Sequence, residues 1–452
     1  MAVQIEYDQD GRLNFKNIFC QCGGPHNQPA LDIYVGTRLM DQIPFWIRKR
    51  NLGWSCVLVS DDNTWPLAGQ RLTGLLRASG FSVKTCTLHR EGELEPDERA
   101  CGEVLLTMER DTTFLVSVGS GSITDITRLV AVRTGKPFVC VATAPSMDGY
   151  TSVVAPLLLR GVKIHREAVC PEIIICDLDI LRTAPMRLIR SGVGDVLGKY
   201  IAHADWQIGR IILDEPYCDA CGEITMQAAN RLLENISAVS ERSEKGIRIL
   251  TEALLLSGVT VLMTGHTRAV ASIEHNIVHV WDMLKLLEGQ RQPPHGAAVG
   301  VATLLVWPLY LRFAEDNLSR LDLKEIQNRK KSREAREQWL HFVFKEEAAA
   351  EIMRENPEDF LDWAEQERRI RKAMACFDDV RQVILQLPPL DQIRQALQKI
   401  GAPLSPEELG IERDMLNLSL HAAKDYRSRY SLFKLLDECG LLEEYLSDYP
   451  VF

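Results

Sequence analysis

The strongest constraint on the fold is a change of period partway along the chain. Up to about Pro185, short apolar runs rich in β-branched residues alternate with stretches of helical spacing. The runs are 55–60, 113–118, 138–142 and 173–177, and segments 65–79 and 122–134 between them repeat at the helical period. Such alternation requires parallel strands joined by crossover helices. After about Leu188 the strand signal vanishes. Helical patterns follow at 195–211, 221–239, 246–265, 270–288 and 296–316, and continue to the end. The expected architecture is an α/β domain over 1–187 and an all-helical domain over 188–452, with a site in the cleft between them. A chain of 452 residues has room for two such domains.

Composition narrows the partners. Lys and Arg total 52 against 62 Asp and Glu, a net charge of −10, which argues against a nucleic-acid binder, whose footprint is basic. The N-terminus is polar and acidic, without the charged start and apolar core of a signal peptide. The longest charge-free apolar stretch, 296–311, is shorter than the ~20 residues of a membrane span and contains Pro308, so it reads as a buried helix. A cytoplasmic protein with no nucleic-acid or membrane partner is the expectation. The twelve cysteines read as reduced thiols. Two short spacings occur among them, Cys20/Cys22 and Cys218/Cys221, and a lone C-x-x-C is a weak zinc signal. The charge-dense 330–368 region reads as a solvated helical insertion.

Gly119-Ser120-Gly121-Ser122 follows the strand at 113–118 and opens a helix. Glycines let backbone approach an anion, and a helix N-terminus offers unpaired N–H groups, which suits the pyrophosphate of a dinucleotide. A tight turn with Ser122 as N-cap would show the same pattern. The loop is neither G-x-G-x-x-G nor a P-loop. Asp61 follows the strand ending at Ser60, where a carboxylate can bind ribose hydroxyls or simply close the turn through Thr64. Thr143, Ser146 and Asp148 follow the strand at 138–142, again where open α/β sheets bind ligands and where plain turns also lie. Asp195 stands at the expected start of a helix, His275 and His279 share a helix face at i, i+4, and His295 opens another helix. Oxygen and imidazole ligands from helical segments can assemble a Zn²⁺, Ni²⁺ or Fe²⁺ site, although ten histidines also yield an i, i+4 pair by chance.

In this order the pieces resemble the iron-containing alcohol dehydrogenase and dehydroquinate synthase-like superfamily, and within it the bacterial sn-glycerol-1-phosphate dehydrogenases. Segments 119–125, 143–152, 161–163, 171–179, 192–195, 204–206, 274–279, 295–296, 427–431 and 435–440 carry the likeness. The resemblance implies a dinucleotide-binding α/β domain and a helical metal-binding domain. It implies Asp195, His275 and His295 as ligands of one divalent metal, with His279 near the reacting centre. It implies NAD or NADP held by Asp61, Gly119, Ser120, Gly121, Ser122, Thr143, Ser146, Asp148, Ser152 and Lys163. Asp148 also faces the substrate, and the implied reaction interconverts dihydroxyacetone phosphate and sn-glycerol 1-phosphate by hydride transfer. Such chemistry needs a polarised carbonyl and an oriented nicotinamide. Arg268 and Lys163 are the expected cations for the substrate phosphate, and a homodimer is implied.

The chain departs from the pattern at Arg128, where a lysine is common, at 268–273 and at Ala297. The latter two lie beside the expected metal and bear on the substrate. A dehydrogenase for another polyol or polyol phosphate, a dehydroquinate synthase-like sugar-phosphate cyclase, and a non-catalytic nucleotide-binding protein are the alternatives. The last requires a broken metal set, yet Asp195, His275 and His295 are all present.

Overall fold

A computed structural model describes residues 4–16, 20, 22, 31–159, 162–356 and 360–447. Strands β1 (Gln4–Tyr7) and β2 (Leu13–Lys16) form an antiparallel hairpin. The central sheet contains β3 (Asp32–Gly36), β4 (Ser55–Asp61), β5 (Ser82–Leu88), β6 (Phe114–Gly119), β7 (Phe138–Ala142) and β10 (Ile173–Asp177). Strands β8 (Val154–Leu159) and β9 (Val162–Glu167) make a second hairpin. The six-stranded sheet runs β3-β10-β7-β6-β4-β5, with every pair parallel.

Both faces of this sheet are covered, which is why its strands read as continuous apolar runs. Along β4, Cys56 and Leu58 enter the layer beneath helices Ile43–Lys49 and Gln70–Ala78, while Val57 and Val59 enter the layer shared with helix Gly121–Thr134. The sequence pattern found β4, β6, β7 and β10. It passed over the edge strands β3 and β5; β5 exposes Ser82, Lys84 and Thr85 and so lacks the apolar run, while β3 is short, with only Ile33, Tyr34 and Val35 as its apolar run.

The strand order places the site. From β4 the chain goes outward to β5, then returns to lay β6 on the other side of β4. The crevice at this reversal opens beyond the carboxyl ends of β4 and β6, where open α/β sheets bind nucleotides. Asp61 ends β4 and Gly119 ends β6.

The helical part begins with the 28-residue helix Met186–Leu213, which spans the expected 187/188 boundary. Helices Asp219–Glu234, Glu244–Thr264, Ile273–Leu287 and His295–Glu315 follow. Two of these, Glu244–Thr264 and His295–Glu315, have the length and apolarity to cross a membrane, but 83% of each apolar window is buried inside this chain. Met186–Leu213 and His295–Glu315 cross at close range because glycines line the contact. A Cβ on Gly192 would run into the Pro145 carbonyl oxygen, one on Gly194 into that of Gly296, and one on Gly296 into that of Ser191. The same Cβ on Gly296 would stand 2.9 Å from Asp195 Cβ. Asp195 therefore lies well inside a helix rather than at its start. Gly194 stands at the crossing of the two helices, and Gly192 packs on the loop that carries Pro145. Replacing Gly296 with alanine is expected to force this crossing apart, lowering stability by about 1–3 kcal/mol. It should weaken metal retention more than it weakens cofactor binding. Metal content and nicotinamide titration of the purified variant check this.

Candidate active site

Each ligand candidate comes from a different helix. Asp195 is on Met186–Leu213, His275 on Ile273–Leu287, and His295 is the first residue of His295–Glu315. Asp195 is fully buried, and His275 Nε2 lies 3.5 Å from its Oδ1. The His275 and His295 ring centroids are 5.3 Å apart. His279, one turn beyond His275, is 5.7 Å from His295 and stacks on Tyr426 at 5.2 Å. The arrangement is open: among the described residues, no Asp, Glu or His group has three ligating atoms all within 4.8 Å of one another.

The chemistry of the set fits a divalent cation. The Glu274 carboxylate lies 2.7 Å from His275 Nδ1 and is itself held by the Ser272 amide at 3.0 Å. A carboxylate on one ring nitrogen fixes the tautomer and turns the other nitrogen toward a metal. Lys199 was missed by the sequence reading. Fully buried, it donates to Asp195 Oδ1 and Asp148 Oδ2, both at 2.7 Å. The Asp148 amide donates to the other Asp195 oxygen at 3.0 Å. Two carboxylates share one ammonium, which leaves negative charge for a cation to balance. Burial would raise the Asp195 carboxyl, but Lys199 and His275 hold it well below its ordinary value. Burial and the Asp195 charge push Asp148 up, against the pull of Lys199. The signal for Lys199 was its i, i+4 spacing from Asp195, which sets both on one helix face.

A hydrogen-bond path ties the ligand helices to the loops above the sheet. The Ser120 and Ser146 hydroxyls are 2.6 Å apart. Ser191 Oγ donates to the Ser146 carbonyl at 3.0 Å and accepts from the Gly296 amide at 3.1 Å. The Thr143 amide donates to the Gly119 carbonyl. Helix Gly121–Thr134 starts at Gly121, so Ser120 and not Ser122 takes the cap position, and its hydroxyl serves the Ser146 loop instead of the helix. Gly119 cannot carry a side chain, because Ile123 packs against it; Gly121 has room. Arg128, fully buried, pairs with Asp125 and donates to the carbonyls of Gly149, Tyr150 and Val154, clamping the loop that bears Asp148.

Other expected residues fall as follows. Asp61 Oδ1 accepts from the Asn63 and Thr64 amides, so this oxygen closes the turn at the β4 tip. Ser152 Oγ exchanges hydrogen bonds with Val154 at the start of β8. Lys163 lies on β9, and its side chain is outside the described residues. Arg268, the other expected phosphate cation, has its guanidinium engaged inside the protein. It is buried, paired with Glu215, and donates to the carbonyls of Asp205 and Tyr430. Those partners, far from it in sequence, take up the guanidinium. Arg427 is a cation near the imidazoles, 5.1 Å over the Tyr426 ring, 3.4 Å from His165 Nδ1 and paired with Glu355. His165 in turn is 5.5 Å from His279. The sequence reading assigned neither His165 nor Arg427 to the site.

A doubly covered parallel sheet, with a buried Asp and two His facing the loops at its strand reversal, defines a nicotinamide-linked oxidoreductase of the metal-containing class. Residues 34–185 match the family model for iron-containing alcohol dehydrogenase. The fold is similar to 1,3-propanediol oxidoreductase (TM-score 0.60, 17% identity, 91% of this chain and 97% of that one). It is also similar to glycerol dehydrogenase from Schizosaccharomyces pombe (TM-score 0.57, 16% identity, 92% and 90%). In sequence the chain is 37% identical to glycerol-1-phosphate dehydrogenase (NAD(P)+) of Halalkalibacterium halodurans, over 64% of this chain and 73% of the relative. It is 31% identical to the enzyme of the same name from Geobacillus thermodenitrificans, over 95% and 98%. The chain belongs to the glycerol-1-phosphate dehydrogenase family.

Proposed function

We propose that this chain catalyses the NAD(P)-linked interconversion of dihydroxyacetone phosphate and sn-glycerol 1-phosphate. The observation that carries the reading is that Asp195 and His275 lie 3.5 Å apart, with the His295 ring 5.3 Å from that of His275, on three helices, two of them joined by hydrogen bonds to the Ser120–Ser146 loops. Relatives bearing that activity in their names support it. Asp195, His275 and His295 would hold one zinc, nickel or iron ion. Such a cation, when bound, supplies Lewis-acid polarisation of the substrate carbonyl.

The residues of the chain do the rest. The Gly119–Ser122 turn and the amides opening helix Gly121–Thr134 receive the dinucleotide pyrophosphate. Asp61 keeps its second oxygen for the ribose, and Thr143 and Ser146 line the nicotinamide side. Lys199 holds Asp148 and Asp195 in one orientation, so the carboxylate ligand is preorganised. His279, fixed by its stack on Tyr426, is the group placed to pass a proton to the substrate oxygen. Arg427, with Lys163 as a second cation on β9, takes the substrate phosphate in place of Arg268. The cytoplasmic location and homodimer implied by the resemblance complete the reading, and light scattering tests the second.

The deciding experiment follows NADH with dihydroxyacetone phosphate, with and without a chelator. Steady NADH loss that stops on chelation and returns with zinc, nickel or iron is expected. Turnover without NADH loss would mean a cyclase, and no turnover with any phosphorylated ketone or polyol would overturn the enzyme reading. Arg427→Met is expected to raise KM for dihydroxyacetone phosphate about 10- to 100-fold with little change in kcat, since a charge-assisted contact contributes about 1.5–3 kcal/mol. An unchanged KM would return Arg427 to its pairing with Glu355.

A further inference from the structure

The fold brings together two cysteine pairs that the sequence keeps far apart. Cys20 Sγ lies 3.4 Å from Cys218 Sγ, across 198 residues. The sulfurs of Cys20, Cys22 and Cys218 all lie within 4.8 Å of one another. Cys221 follows one helical turn after Cys218, and its buried thiol adjoins the Cys218 thiol. The backbone also points at the sulfurs: the Cys22 amide donates to Cys20 Sγ at 3.4 Å and the Cys221 amide to Cys218 Sγ at 3.3 Å. Cys218 caps helix Asp219–Glu234; Cys221 and burial push its thiol up, so its proton leaves only when a metal takes the sulfur.

We propose that Cys20, Cys22, Cys218 and Cys221 form a second metal site, a structural thiolate centre for zinc, separate from the Asp–His–His site. Three of the sulfurs already lie at near-ligand spacing, and Cys221 adjoins the third. Zn–S bonds of about 2.3 Å set sulfurs about 3.7–3.8 Å apart, near the Cys20–Cys218 separation. A disulfide would use one sulfur pair and leave the other two cysteines, and both N–H···S contacts, without a purpose. Four soft thiolates also select zinc over the harder cations that oxygen ligands favour. On binding, each thiol gives its proton to solvent and its sulfur lone pair to the metal; no oxidant is needed.

The location explains the role. Cys218 ends the 214–218 connection leaving the Asp195 helix, and Trp206 of that helix donates from its indole to the Pro216 carbonyl at 2.9 Å in the same connection. The centre staples the segment after β2 to this connection and braces the far end of the ligand helix. It is independent of which substrate the enzyme takes.

The test is the metal content of the whole chain. Purified protein treated with a mild chelator until the dehydrogenase is silent is expected to keep one zinc per chain, and Cys20→Ser/Cys22→Ser to lose that zinc. These two positions are partly or fully exposed, so the variant avoids the buried pair. Cobalt substitution gives a second readout: a sulfur-to-cobalt charge-transfer band in the wild type, absent from the double variant, that oxygen and imidazole ligands cannot produce. The variant should regain wild-type kcat when supplied with catalytic metal but unfold at lower temperature. Equal metal content in both proteins with no charge-transfer band would overturn the proposal. So would a Cys20–Cys218 disulfide in protein isolated under reducing conditions.

Discussion

Asp195→Ala is expected to yield folded protein that neither retains the catalytic cation nor turns over substrate. Polarising a carbonyl oxygen lowers the barrier by several kcal/mol. At about 1.4 kcal/mol per tenfold, kcat should fall at least about a thousandfold. Asp195 is fully buried and accepts from Lys199 and the Asp148 amide, so its loss removes a ligand and frees the groups that orient it. His275→Ala should behave alike. Full metal occupancy in either variant would strike that residue from the ligand set. The pH dependence has a definite sign. Burial would lower the His275 imidazole, but Asp195 and Glu274 raise it above its ordinary value. Protons therefore compete with the cation at this nitrogen, and metal retention should fall as pH is lowered and recover as it is raised. Equilibrium dialysis against zinc at a series of pH values reads this directly.

Lys199→Met should cost the metal-free enzyme most of its stability margin. The ammonium is fully buried and is the shared partner of Asp148 and Asp195. Removing one member of a buried charge cluster typically costs about 3–5 kcal/mol, because the others stay behind unpaired. Burial would lower the Lys199 amine, but the two carboxylates raise it well above its ordinary value, so it stays charged across the working pH range. A divalent ion bound at Asp195 would neutralise part of the orphaned charge. Saturating metal is thus expected to restore part of the lost melting temperature in the variant, and to restore more than it adds to wild type. Equal melting temperatures of the two metal-free proteins would show that Lys199 carries no such weight.

The departures from the superfamily pattern acquire reasons in the structure. Arg128 replaces a common lysine, and its branched head reaches Asp125 and three backbone carbonyls, beyond the reach of a single ammonium in one geometry. Arg268 looked available for phosphate because sequence distance from Glu215, Asp205 and Tyr430 hides their contact. Asp205 compounds this: it accepts from Ser272, Tyr310 and the Leu432 amide, and burial pushes its carboxyl up to about 6. The 268–272 segment leading into helix Ile273–Leu287 is therefore a packed structural node.

Periodicity within the chain settled what each stretch becomes. Buried parallel strands must be apolar on both faces and helices must repeat at 3.6, so β4, β6, β7, β10 and the five long helices were legible locally. The glycine turn was legible because only certain backbones permit it, and Asp195, His275 and His295, which the fold brings near one another, stood out as residue types that can ligate a cation. The order of strands and the crossing of two glycine-lined helices were settled only in three dimensions. Lys199 between two aspartates, Arg268 against Glu215, and Cys20 and Cys22 beside Cys218 all depend on contacts between elements distant in sequence. Side-chain period reports which face a residue turns to the core; it carries no record of which other face it meets there.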